Sequence, residues 1–203
     1  MTFKKTILSP GITSYYDVMP DPKGFISKIE DLVVAGQLHW KSGEVRNQGD
    51  GAEIQSRVDT NVRVVDTIGI PAYDRSTIVN GTPGQLTTHL SLNELILPVV
   101  KDYGVENKCL SHINGENWQI LRYGAGHYFM DHVDDSKLYP RTCSISYYLN
   151  DDYEGGEIEF PRFGLKIKPV ANQAIVFPAN YVYNHTVHPV TSGIRWTIVN
   201  WFE

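Results

Sequence analysis

Hydrophobic positions change their spacing part-way along the chain. Phe25, Ile29, Leu32 and Val33 recur at i, i+4, i+7 and i+8, one face of a helix, and predict a helix over about residues 22–37. Leu86, Leu90, Leu95, Ile96, Val99, Val100 and Tyr103 keep similar spacing. Pro83 suits the start of this second helix and Gly104 its end. Pro98 should kink or split it, because proline lacks a backbone donor and crowds the preceding turn. Both stripes read as packing faces that brace the outer side of a sheet. Between them, residues 41–57 carry Gly43, Gly49, Gly51, Asn47 and Asp50. They predict a mobile, solvated connection, with a lid over a substrate as its functional alternative. Residues 58–70 have strand-like content.

After Glu116 the pattern turns to short runs at 118–123, 142–150, 157–160, 165–168, 174–177 and 194–201, bounded by Gly, Pro, Asn or Asp. Many short strands separated by turn residues predict a mostly β fold with flanking helices around a double-sheet jelly roll. A chain of 203 residues suits one domain. Residues 1–110 would form a mixed, helical support and 111–203 the β-rich core.

Charge narrows the function classes. Eighteen basic against 23 acidic residues give a net −5 without like-charge blocks, which gives no support to nucleic-acid or membrane-surface binding. The first apolar run, Ile7-Leu8, is too short for a signal-peptide core, and no stretch approaches the ~20 apolar residues of a membrane span. Two cysteines, Cys109 and Cys143, do not make a disulfide framework, so a reducing compartment and a cytoplasmic location are expected.

Period-two alternation places the chemistry. In an extended segment His132 and Asp134 share a face at ~7 Å, close enough to converge on one ion. Two imidazoles and one carboxylate can bind one face of octahedral iron(II) and leave positions open. The pair is weak alone, since this composition yields about 0.8 His-x-acid pairs by chance. His185 and His188 both offer a second imidazole; three residues apart on a strand, they face opposite ways and cannot both ligate. His127 competes with His132 but lacks an acid two positions on, and His39, His89 and His112 stand alone. On the last strand Arg195, Thr197, Val199 and Trp201 share a face; in the middle of the core Ser144, Ser146 and Tyr148 do. A barrel interior holding Arg195 needs an anion, because an unpaired buried charge is costly.

The order of these features carries a resemblance. Tyr123, a turn with Gly124 and Gly126, His132-x-Asp134, the Tyr148-Leu149-Asn150 strand, Gly155-Gly156-Glu157, then His185-x-Val187-x-Pro189-Val190 and Arg195 follow one another within the 79 residues from Tyr123 to Trp201. This resembles the iron(II)- and 2-oxoglutarate-dependent oxygenases, and within them the prolyl 4-hydroxylase-like group; residues 1–110 fit only in general layout. The resemblance implies a distorted double-stranded β-helix with iron(II) held by His132, Asp134 and His185, His188 falling at a variable position. It implies 2-oxoglutarate with its 5-carboxylate on Arg195, assisted by Ser144 and Tyr148, and Tyr123 reaching it near the metal. Dioxygen is the co-reactant and ascorbate a stimulant; succinate and carbon dioxide leave with a hydroxylated substrate. Retention of Asp134 favours hydroxylation over halogenation, and Trp201 stands where the DNA-repair demethylases have a second Arg. A prolyl residue in a protein or peptide is the leading substrate, ahead of a peptide-like small molecule or free amino acid. The rival classes are a non-catalytic metal- or 2-oxoglutarate-binding sensor or interaction module, and a zinc hydrolase.

Overall fold

Two antiparallel sheets face one another, and two helices lie behind the larger one. The structure, a computed structural model, describes residues 3–48, 54–72, 81–110, 114–137 and 140–203. The first half runs β1 (Lys4–Ser9), β2 (Ile12–Tyr16), α1 (Pro22–Val34), β3 (Lys41–Ser42), β4 (Val45–Gln48), β5 (Ile54–Arg57), β6 (Arg63–Val64), β7 (Asp66–Ile70) and α2 (Pro83–Asn107). The second half contributes β8 (Trp118–Tyr123), β9 (Tyr128–His132), β10 (Cys143–Tyr148), β11 (Glu154–Gly155), β12 (Ile158–Phe160) and β13 (Leu165–Ile167). It closes with β14 (Gln173–Pro178), β15 (His185–Val187), β16 (Val190–Ser192) and β17 (Arg195–Phe202).

The larger sheet has the order β1-β2-β14-β10-β17-β8-β7-β3, the smaller β13-β12-β15-β9-β6. This is the expected mostly β architecture with flanking helices. Alternation sorts the two faces of the large sheet. Cys143, Ile145 and Tyr147 of β10 and Trp196, Ile198 and Phe202 of β17 turn outward and meet Phe25 and Ile29 of α1 and Leu92, Ile96, Val99 and Val100 of α2. The intervening residues turn inward, toward the smaller sheet.

The helices differ from expectation at their ends. Helix α1 stops at Val34 rather than near 37, because Gly36 takes a positive φ of 69° and the Gln37 N–H returns to the Leu32 carbonyl. Helix α2 starts at Pro83 as expected, under a capping box between Thr82 and Gln85. It runs unsplit through Pro98 and past Gly104 to Asn107, where Lys108 is left-handed. Gly104 is small for a packing reason: a Cβ there would lie 2.9 Å from Leu110 Cβ. Gly104→Ala should therefore destabilise the protein. Helix propensity favours alanine by ~1 kcal/mol, but forcing a methyl into packed atoms costs ~1–3 kcal/mol. Urea unfolding should show the midpoint falling; a rise would mean that the Leu110 contact gives way freely.

Within 41–57, residues 41–48 and 54–57 are more regular than a loop, holding β3, β4 and β5. β4 and β5 pair antiparallel in the register Val45↔Arg57 to Gln48↔Ile54, and residues 49–53 lie outside the described residues; the lid expectation falls partly on them. Among the described residues no helix is long and apolar enough to cross a membrane.

Candidate functional site

Strand pairing brings the two imidazoles together. In the β9–β15 pair His132 lies directly opposite His185, a position that puts both side chains on one face with Cβ atoms ~5 Å apart. The rings are 4.2 Å apart, His132 is stacked on Phe129, and His185 meets the rings of Phe160 and Phe177. Two residues beyond His132 the chain returns Asp134 to the same side. Its Oδ1 is 3.6 Å from His132 Nε2 and its Oδ2 3.8 Å from His185 Nε2. One donor atom from each of the three residues lies within 4.8 Å of the others.

The surroundings set their protonation. His132 Nδ1 is 2.9 Å from the Met130 carbonyl and His185 Nδ1 3.1 Å from the Tyr183 carbonyl. A carbonyl only accepts, so each Nδ1 carries the proton and each Nε2 offers its lone pair toward Asp134. Burial, reinforced by His185, pushes the His132 imidazole down to about 3. Burial alone would raise the Asp134 carboxyl, but the facing His185 and His132 and the Ser144 hydroxyl outweigh it and hold it below the usual carboxylate range. A neutral His132 imidazole beside an ionised Asp134 carboxylate is the state in which such groups ligate a metal.

Arg195 lies on the opposite sheet and lines the same cavity. It is 2% exposed, and its guanidinium stands 4.8 Å from the Tyr123 ring and 4.9 Å from that of Tyr148. Among the described residues, Arg195 Nε and Nη1, Tyr148 Oη and Thr197 Oγ1 are buried without hydrogen-bond partners. The expected shared face of β17 is found: Arg195, Thr197, Val199 and Trp201 all line the cavity.

A 2OG-Fe(II) oxygenase superfamily profile matches residues 118–203, the stretch that contains all of these groups. Residues 118–203 are similar to the 2OG-Fe(II) oxygenase superfamily. The chain is 29% identical over 110 residues to a putative prolyl 4-hydroxylase of Acanthamoeba polyphaga mimivirus, covering 44% of this chain and 46% of that one. It is 37% identical over 90 residues to a PKHD-type hydroxylase of Synechococcus sp. strain CC9902, covering 41% and 40%. The aligned stretch thus spans less than half of either relative. In fold it is similar to a Pseudomonas putida prolyl-4-hydroxylase, with a TM-score of 0.65 at 16% identity over 95% of this chain and 92% of that one.

The site offers groups that fit both an iron(II) ion and a dicarboxylic cosubstrate. Three converging ligand atoms suit the ion, and orphaned buried donors around Arg195 suit a carboxylate. Ser144, expected beside the cosubstrate, donates its hydroxyl to Asp134 Oδ2 at 2.6 Å and so orients a carboxylate of the triad. His188 pairs with Glu159 at 2.6 Å, away from the cluster. His127 is outside the cluster, His39 is exposed, His89 meets Asn93 within α2, and His112 lies outside the described residues.

Three contributors were not legible as site residues. Arg141 grips Glu116 and donates to the Asp134 backbone oxygen at 2.7 Å, fixing the segment after the ligand pair. Arg63 lines the cavity over Phe129, with its Nε buried and unpartnered. Tyr153 has a buried hydroxyl without a partner. Each is brought in by long-range pairing; the one local sign was a Tyr just before Gly155-Gly156.

Proposed function

We propose that this chain works as one oxygenase domain, an Fe(II)- and 2-oxoglutarate-dependent hydroxylase acting on a prolyl residue in a protein or peptide. The observation that carries the reading is the sharing of one cavity by the His132–Asp134–His185 cluster and a buried arginine, two of whose donors meet no acceptor among the described residues. In this reading the two Nε2 atoms and the Asp134 carboxylate hold the metal, while Ser144 keeps that carboxylate turned inward. Arg195 and Tyr148 address the far carboxylate of the cosubstrate, and Tyr123 lies beside them. Leu121, Ile158, Val187 and Val199 form apolar walls that limit water at the reacting end. When bound, iron(II) and 2-oxoglutarate supply dioxygen activation coupled to decarboxylation, which delivers succinate, carbon dioxide and one oxygen atom to a substrate C–H. No side chain has to act as a general acid or base.

A zinc hydrolase would need a base beside the metal, and Asp134 is the one carboxylate among the described cavity-lining residues. The prolyl assignment is supported by the prolyl hydroxylase names of the mimiviral and Pseudomonas relatives. The thiols of Cys109 and Cys143 are free, in keeping with a reducing, cytoplasmic setting. Proline-containing peptides incubated with iron(II), ascorbate and 2-oxoglutarate should gain 16 Da, with one succinate per hydroxylation. Succinate release with oxidation confined to a free amino acid would move the substrate class.

A further inference from the structure

Tyr153 sits where packing alone would be satisfied by phenylalanine. Its side chain is buried in an apolar cluster with Val65, Leu121, Tyr123, Val187 and Val190. Lys168 clamps it from the far side, with Nζ 4.0 Å from the ring centroid and donating to the backbone oxygens of Tyr153 and Gly155 at 2.8 and 2.7 Å. On the near side a glycine brings it against Arg195. A Cβ on Gly156, whose φ is +65°, would lie 3.0 Å from Arg195 Cδ and 3.1 Å from Tyr153 Cε2.

The hydroxyl itself is the anomaly. Among the described residues it is buried without a hydrogen-bond partner of good geometry, and burial pushes it up to about 12 against the opposing pull of the nearby Arg195 guanidinium. It is therefore a protonated donor at neutral pH. The orphaned atoms beside it, Tyr148 Oη with Arg195 Nε and Nη1, are donors as well. A carboxylate offers about four lone-pair sites, so a two-toothed guanidinium contact leaves room for two hydroxyls.

We propose that Tyr153 is a cosubstrate-specificity residue, donating its hydroxyl to the distal carboxylate of a dicarboxylic 2-oxo acid held on Arg195. The assignment rests on the cosubstrate reading of Arg195 given above. It makes the unpaired hydroxyl a cost of the ligand-free protein that cosubstrate binding removes.

The test is calorimetric titration of 2-oxoglutarate and of 2-oxopentanoate, which has the same chain without the distal carboxylate, into manganese(II)-loaded wild type and Tyr153→Phe. Thermal midpoints of the metal-free proteins complete it. Tyr153→Phe should weaken 2-oxoglutarate binding about tenfold, the scale of one hydrogen bond to a charged group. It should weaken 2-oxopentanoate less than about twofold, and the ligand-free midpoint should hold or rise. Equal weakening of both acids, unchanged 2-oxoglutarate binding, or a lowered ligand-free midpoint would each overturn the role of Tyr153 while leaving Arg195 in place. A wild type that binds neither acid would overturn the cosubstrate reading, and Tyr153 with it.

Discussion

His185→Ala and His132→Ala should each abolish turnover and strip the protein of metal, whereas His188→Ala should leave metal content near that of wild type. The first two remove one of three donors that converge within 4.8 Å, and two remaining ligands cannot define one face of an octahedral ion. Neither substitution removes a large hydrophobic group, so loss of metal should precede any loss of fold; circular dichroism on the same samples separates the two. His188 differs because its Nε2 is already engaged by Glu159, away from the cluster. Metal content after dialysis against manganese(II), read by mass spectrometry, gives the answer. If His188→Ala lost the ion and His185→Ala kept it, the ligand set would be wrong.

Arg195→Ala should weaken 2-oxoglutarate binding by about ten- to a hundredfold or more, the range spanned by ~1.5–3 kcal/mol for hydrogen bonds to a charged group. The upper end is the better expectation, because Arg195 is buried and carries two unmet donors. Arg195→Lys should recover part of the loss: the charge stays, but the planar fork that matches a carboxylate is gone. Metal content should hardly change, since Arg195 is not among the converging donors. Full 2-oxoglutarate affinity in Arg195→Ala would remove the cosubstrate from this end of the cavity and favour the sensor reading.

The strands of the second half were legible where alternation was clean and turns were marked, as in β8 and β17. Period two alone puts Arg195, Thr197, Val199 and Trp201 on one face, and all four line the cavity. β1 and β2 escaped because Lys4–Ser9 carries one adjacent apolar pair, Ile7-Leu8, and Ile12–Tyr16 no apolar–polar alternation, although Pro10-Gly11 marks the turn between them. The β4–β5 pair escaped for the same reason: Val-Arg-Asn-Gln and Ile-Gln-Ser-Arg carry no apolar face for a period-two pattern to reveal. Gly104 misled because a glycine near a helix end signals a stop equally well when its real constraint is a distant side chain, here Leu110. In the site, residue types and order were readable, but partners were not. That Ser144 serves Asp134, and that Tyr153 stands beside Arg195, follows from sheet pairing and a glycine turn that a linear pattern does not contain.

The most direct test of one cavity holding both a metal and a dicarboxylic 2-oxo acid is iron-dependent consumption of 2-oxoglutarate. Purified wild type, given iron(II), ascorbate, dioxygen and labelled 2-oxoglutarate, should release carbon dioxide and succinate in equal amounts, slowly alone and faster with substrate. His185→Ala should release neither. Wild type that binds the metal yet neither binds 2-oxoglutarate nor forms succinate would contradict the account, and leave a metal-binding module in place of an oxygenase.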